Sequence, residues 1–306
     1  VSDSLERAGI CQVADEVAEA IRLRRPVVAL ETTLVAHGFP AGGGLDAAVA
    51  AQQRVRSAGA VPATIGVIDG KIRVGLLESE LARFAAAGPA AAKVGARDLA
   101  ACLVHGGLGA TTVGGTLAVC RLLGIRFMGT GGIGGVHRGF AQHLDISGDL
   151  LQIARTPAMV VASGAKSILD VGATAELLET LGVPVVGWRT ATLPLFYRAE
   201  GGPAVSATVH DSAAAARVAE IHWQLNPSSG LLLAQPPATG LDLEPVIMAA
   251  IERVRREGVR GQSVTPAVLA LVHELSGGRS VEVNRQLIAD NAALAAEVAS
   301  AYADDR

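Results

Sequence analysis

Aromatic residues are scarce in this sequence, at 3% of 306 positions, so its core must be assembled from small aliphatic side chains of the kind that fill packed helix–sheet layers. Cysteine is nearly absent too. Cys11, Cys102 and Cys120 are odd in number and far apart, which supports neither a disulfide framework nor a zinc site and fits a reducing cytoplasm. No apolar run reaches the roughly 18 residues of a membrane-spanning helix. No charged segment followed by an apolar one opens the chain, so neither a membrane span nor a secretory signal is expected. The formal charge of −3 gives no electrostatic reason to bind duplex nucleic acid. What is there is a chain 50% apolar with 36 glycines, long enough for one large α/β domain or two smaller ones.

Short apolar runs alternate with segments of helical periodicity. Val13, Val17 and Ile21 space a helix over 12–25, and Pro26–Leu30 reads as a buried strand that delivers Glu31. A polar loop through Thr32, Thr33 and His37–Pro40 then leads to a helix near Leu45–Ala58. Asp69-Gly70, between Ala63–Ile68 and Lys71–Leu76, predicts a two-residue hairpin and so a mixed sheet. Helices are predicted at Glu78–Ala86 and Arg97–Val104. Strands are predicted at Ile125–Met128, Ala158–Ala162, Val183–Trp188, Ala204–Val209 and Gly230–Ala234. Further helices are expected near Leu150–Ala154, from beyond Lys166 to Leu181, and near Ser212–Gln224, Glu244–Arg256, Pro266–Leu275 and Val281–Tyr302. No linker or repeat interrupts this alternation, which predicts one domain over residues 1–306, a three-layer α/β/α fold on a central mixed β-sheet.

The chemistry concentrates in Met128–Asp149, MGTGGIGGVHRGFAQHLDISGD. Gly131, Gly132, Gly134 and Gly135 after a strand suggest backbone N–H groups facing an anion. Asp145 and Asp149 offer hard oxygens to a divalent cation, and Ser147 offers a hydroxyl to a phosphate. The plainer alternative is a long glycine loop with a solvated acidic turn. Glu31 stands at the carboxyl end of a strand, where ligands gather in open α/β sheets, although a capping or edge carboxylate would look the same. Lys166 sits at a strand end among small residues. Desolvation there would free a neutral amine to attack a carbonyl, whereas a lysine snorkelling from a helix start is the alternative. Lys93 follows a run of small residues and could equally be a surface lysine. Thr111 and Thr112 could cap the next helix or bind a ligand. Asn284 and Asn291 fall on one helical face.

Seven segments together resemble the pseudouridine-5'-phosphate glycosidase family, also called the indigoidine synthase A-like family. They are VALETTLVAHGFP (Val28–Pro40), PATIGVIDGKIRVGL (Pro62–Leu76), KVGARDLA (Lys93–Ala100), MGTGGIGGVHRG (Met128–Gly139), DISGDL (Asp145–Leu150), GAKSILD (Gly164–Asp170) and NRQLIADNAALAAEVA (Asn284–Ala299). They span nearly the whole chain in family order. The resemblance implies a homotrimer that uses a divalent metal, typically Mn2+, and reversibly cleaves pseudouridine 5'-phosphate to uracil and ribose 5-phosphate. It implies Lys166 as the lysine bonded covalently to C1′, Glu31 as the acid/base carboxylate and Asp145 as the metal ligand. Lys93, Val113, Ser147, Gly148 and Asp149 are implied to hold the substrate, with Thr130, His137 and Asn284 at further pocket positions. The sequence departs from the family pattern at Ala96, Gly114, Gly115, Gln235 and Gln262, which bears on phosphate affinity and base selectivity. Two other functions compete with this one: a Schiff-base lyase acting on another sugar phosphate, and a non-catalytic nucleotide-binding accessory protein. A binding module has no need of Glu31, Lys166 and Asp145 together.

Overall fold

The structure, a computed structural model, describes residues 9–40, 42–259 and 264–304. Its centre is an 11-stranded mixed sheet. In chain order the strands are β1 (Cys11–Val13), β2 (Val27–Glu31), β3 (Val61–Ile68), β4 (Lys71–Val74), β5 (Ala92–Val94), β6 (Leu108–Thr111), β7 (Phe127–Gly129), β9 (Met159–Ala162), β11 (Val185–Trp188), β12 (Ala207–Val209) and β13 (Leu231–Ala234). Two short strands, β8 (Val136–His137) and β10 (Leu169–Asp170), form a separate antiparallel pair. The main path runs β1-β4-β3-β2-β7-β9-β13-β11-β12, with β6 joined to β3 and β5. Pairing is parallel except where β3 meets β4 and β6. The Asp69-Gly70 hairpin is present. Both residues take positive φ, 51° and 75°, as a turn that follows strand twist requires.

Alternation along the strands divides the core. Val27, Ala29, Ile65, Met128, Val160, Ala162, Leu232 and Ala234 enter one cluster, while Val28, Leu30, Phe127, Met159, Val161, Leu231 and Leu233 enter another. Successive side chains of a strand point to opposite faces, so this is a sheet covered on both sides. The first face is covered in part by the helices Val113–Leu123, Gly148–Ala154 and Glu244–Arg256, and the second by Gly43–Ser57, Ser212–Leu225 and Arg279–Asp304. The three-layer α/β/α expectation is correct.

Several local expectations are corrected. Val13 lies in a strand, and the first described helix begins at Asp15. The segment expected as a polar loop holds a helix, Thr33–His37, because Val35 and Ala36 pack with Leu81 and Phe84 in a third apolar cluster. No helix continues directly from Lys166. Leu169 and Asp170 pair with His137 and Val136, and the Asp170 carboxylate then caps the helix Val171–Thr180 by accepting the Ala173 amide at 3.0 Å. Lys93 sits in β5, which like β6 is a short strand with too little periodicity to announce itself.

Candidate active site

The site forms where two strands meet end to end. β2 runs parallel to β3 as far as Glu31 beside Ile65, and β6 runs antiparallel to β3 from Ile68 back to Gly66. Their carboxyl ends therefore converge at Ile65–Gly66. Hydroxyls seal the junction. Thr32 and Thr111 both donate to the Ile65 carbonyl, at 2.8 and 2.7 Å, and the Thr111 amide donates to the Thr32 hydroxyl at 2.9 Å. Thr111 thus belongs to this seam, while Thr112 caps the helix Val113–Leu123 by accepting the Gly115 amide at 3.2 Å. Val113, fully buried, is the first residue of that helix.

Glu31 is 3% exposed at the end of β2. One carboxylate oxygen accepts the Thr130 hydroxyl at 2.5 Å, and the other has no hydrogen-bond partner among the described residues. Burial pushes this carboxyl up to about 7, against the pull of the Lys166 ammonium and the Thr130 hydroxyl and with help from the Asp149 charge. A buried acid with one open oxygen and a pKa near neutrality can both give and take a proton. It is neither a cap nor an edge carboxylate.

Two glycines of the stretch are required by close packing. A Cβ on Gly132 would fall 2.7 Å from the Phe196 ring, and one on Gly135 would fall 2.4 Å from the Thr174 hydroxyl. These glycines let neighbouring segments close over the loop. The anion that backbone amides do hold is a side chain. Asp149 accepts the Gly134 amide at 2.9 Å and the Gly114 amide at 2.7 Å, while Ser147 accepts the Asp149 amide at 3.2 Å and so heads the helix Gly148–Ala154. Gly114 and Gly115, two of the departures from the family pattern, sit under this clasp. A Cβ on Gly115 would meet the Val94 carbonyl at 2.3 Å, next to Lys93.

Lys93, Lys166, His137 and Asp145 share one electrostatic neighbourhood. Burial depresses the Lys93 ammonium, and the Lys166 charge adds to that, against Asp149, Glu31 and Asp145. Burial likewise holds the His137 imidazole low, opposed by Asp145 and reinforced by both lysines. His137 Nδ1 lies 3.8 Å from the Asp145 carboxylate, and the His137 amide donates to the Asp145 carbonyl at 3.0 Å. Among the described residues no group of three His, Cys, Asp or Glu side chains converges as a metal cage would. Asn284 is buried beside Gly131, its carbonyl oxygen unpartnered among the described residues. Asn291, seven residues on, ties the loop down, donating to the Thr130 carbonyl at 2.8 Å and the Ser163 hydroxyl at 3.1 Å. His37 escaped notice as a neighbour of Lys93. It binds the Ala91 carbonyl through Nε2 at 3.1 Å, and it is held low by burial, with the Lys93 charge contributing. The Gln235 backbone N–H donates to the Ala162 carbonyl at 2.9 Å just past the end of β13, whereas Gln262 lies outside the described residues.

A family model described as indigoidine synthase A like protein matches residues 16–301. A protein of Deinococcus radiodurans named pseudouridine-5'-phosphate glycosidase is 45% identical over 94% of this chain and 93% of its own. Proteins of the same name from Chloroflexus aurantiacus and Escherichia coli are 46% and 42% identical, covering 94% and 96% of this chain and 97% and 96% of theirs. Among solved structures, the prealnumycin C-glycosynthase AlnA in complex with ribulose 5-phosphate superposes with a TM-score of 0.87 at 42% identity, over 97% of this chain and 98% of that one. An indigoidine synthase A-like protein of Thermotoga maritima gives 0.84 at 34%, over 95% of each chain. Sequence and fold agree along almost the entire length, and the chain belongs to the indigoidine synthase A-like family.

Proposed function

We propose that this protein is a pseudouridine-5'-phosphate glycosidase, which reversibly breaks the C–C glycosidic bond of pseudouridine 5'-phosphate to give uracil and ribose 5-phosphate. The observation that carries this reading is Glu31, a buried carboxyl held near pH 7 with one open oxygen, in the field of two lysines. Ordinary glycosidases set two carboxylates around an oxocarbenium-like state. Breaking a bond to carbon instead needs an amine that becomes an electron sink and a separate proton donor. Relatives of that name at 42–46% identity support the substrate.

In this reading the Lys166 amine adds to C1′ as the ring bond to O4′ opens and O4′ takes a proton. Uracil C5 then receives a proton from Glu31. The C1′–C5 bond breaks with its electrons going to the uracil, while the lysine nitrogen lone pair forms the imine. Water hydrolyses the imine, returning ribose 5-phosphate and the free amine. Lys93 pairs with the phosphate, whose charge would favour its ammonium against the effect of burial. Val113, Thr130, His137, Ser147, Gly148, Asp149 and Asn284 hold the substrate, Ser147 and Asp149 from fixed positions at the head of their helix. The half-exposed Asp145 carboxylate beside His137 suits one hard cation such as Mn2+ with water in the rest of its shell, and there the ion would offset anionic charge on the substrate. A homotrimer in the reducing cytoplasm completes the reading. Exposed Val104, Leu144 and Leu225 are candidates for burial between copies, and none of Cys11, Cys102 and Cys120 forms a disulfide among the described residues.

A second reading rests on the C-glycosynthase structure, which is as similar in sequence as the Escherichia coli relative. Lys166 would keep its role, and an acceptor other than uracil would be joined to the pentose phosphate. One experiment separates the readings. The protein alone is incubated with pseudouridine 5'-phosphate and Mn2+, with and without excess chelator, and uracil is measured. Ribose 5-phosphate and cyanoborohydride are then used to trap the imine. Uracil release that chelation abolishes, with a reduced adduct on Lys166, is expected. An adduct on Lys93 would exchange the roles of the two lysines, and no uracil release with Mn2+ present would favour the second reading.

A further inference from the structure

Arg138 has no role in the chemistry above, yet it is the side chain that ties the His137 strand to the segment carrying Lys166. Its Nε donates to the Leu169 carbonyl at 3.2 Å and its Nη2 to the Ser167 carbonyl at 3.1 Å. The other side of the guanidinium is anchored on Glu244, with contacts of 2.5 and 3.2 Å, at the first residue of the helix Glu244–Arg256. Upstream, the Lys166 amide is fixed by the Ile133 carbonyl at 3.0 Å, and Leu169 closes a turn onto the Lys166 carbonyl at 2.9 Å. Lys166 therefore sits in a bend whose amino side rests on the glycine stretch and whose carboxyl side is held by the β8–β10 pair and by the Arg138 guanidinium. An exposed ion pair such as Arg138–Glu244 contributes little by itself. Charge-assisted bonds from a rigid fork to two carbonyls are a different matter, because they fix geometry as well as adding energy.

We infer that Arg138 is a positioning residue for Lys166, holding the bend so that the amine meets C1′ in line. The inference rests on the reading of Lys166 as the imine-forming amine. The step it assists is balanced simply: amine and aldehyde give imine and water, and added cyanoborohydride delivers hydride to C1 to leave a secondary amine.

The test is the rate constant for forming that secondary amine on Lys166 from ribose 5-phosphate, followed by mass spectrometry in wild type, R138M and R138K, with thermal unfolding in parallel. R138M is expected to slow capture about 100-fold, the scale on which an ångström of misplacement acts. R138K, which keeps the charge and loses the fork, is expected to recover part of the rate, roughly to within tenfold of wild type. KM for the sugar phosphate should stay within about twofold, because Arg138 touches no substrate in this reading. Capture at the wild-type rate by folded R138M would overturn the inference and leave Lys166 in its role. Absence of a Lys166 adduct in wild type would overturn both. Should R138M fail to fold, R138K decides: slower capture with unchanged melting supports the inference, and wild-type capture overturns it.

Discussion

A carboxyl group that folding holds near pH 7 makes stability depend on pH in a known direction. Glu31 is raised from 4.5 to about 7 by burial. Between those values the folded chain keeps a proton that the unfolded chain has released. The contribution of Glu31 is fully present below pH 4.5 and is lost as pH rises through about 7, by roughly 3 kcal/mol in all. Glu31→Gln should remove this slope. Urea unfolding of the substrate-free protein from pH 4 to 8 checks it, and a stability difference between wild type and variant that stays flat across that window would contradict the assignment. Uracil release should also decline above about pH 7 as the acid form disappears, while Glu31→Gln still captures ribose 5-phosphate on Lys166. The place of Glu31 was legible from sequence, since a carboxylate closing an apolar strand points to the ligand end of a sheet. Its partner was not. Thr130 follows the end of β7, 99 residues away, and no local pattern links the two.

At the scale of elements, the helices Gly148–Ala154 and Val113–Leu123 are locked to the glycine stretch by one carboxylate. Asp149 accepts two backbone amides, and Gly134 beside it leaves no room for a side chain. A Cβ on Gly134 would fall 2.2 Å from the Ser147 hydroxyl and 2.7 Å from the Asp149 carboxylate. Gly134→Ala should therefore cost about 1–3 kcal/mol, the usual range for overpacking, and should lower turnover by displacing Ser147 and Asp149 together. Denaturant titration and kinetics measure the two effects, and a variant as stable and active as wild type would show that the clasp yields easily. Strands of four or more apolar residues and the amphipathic helices were readable from periodicity alone. β5 and β6 were not, because three or four residues such as Ala92-Lys93-Val94 cannot establish a period. The helix Thr33–His37 was hidden because its apolar residues are only Leu34, Val35 and Ala36 among polar neighbours, and Val35 and Ala36 are buried by a cluster formed from distant segments.

For the molecule as a whole, one aromatic cluster lies at the end of β7 opposite the chemistry. Phe127 opens β7, whose other end leads to Thr130, and its ring meets those of Trp223 and Tyr302 at 5.9 and 5.4 Å, with Arg126 over Trp223 at 4.7 Å. This cluster joins the sheet to the helices Ser212–Leu225 and Arg279–Asp304. Trp223→Ala should cost about 3–5 kcal/mol of stability and leave kcat within about twofold. Thermal melting with an assay at low temperature checks this, and loss of turnover without loss of stability would mean that the two ends of the sheet are coupled. The carboxylate clasp has a further consequence, for solvent exchange. The Gly114 amide lies in the first turn of a helix and the Gly134 amide in a loop, positions from which deuterium uptake is ordinarily fast. Both point at Asp149, which is 5% exposed. Neither can exchange until that carboxylate lets go, so the two amides, far apart in the chain, should report one opening event with the same protection and the same denaturant dependence.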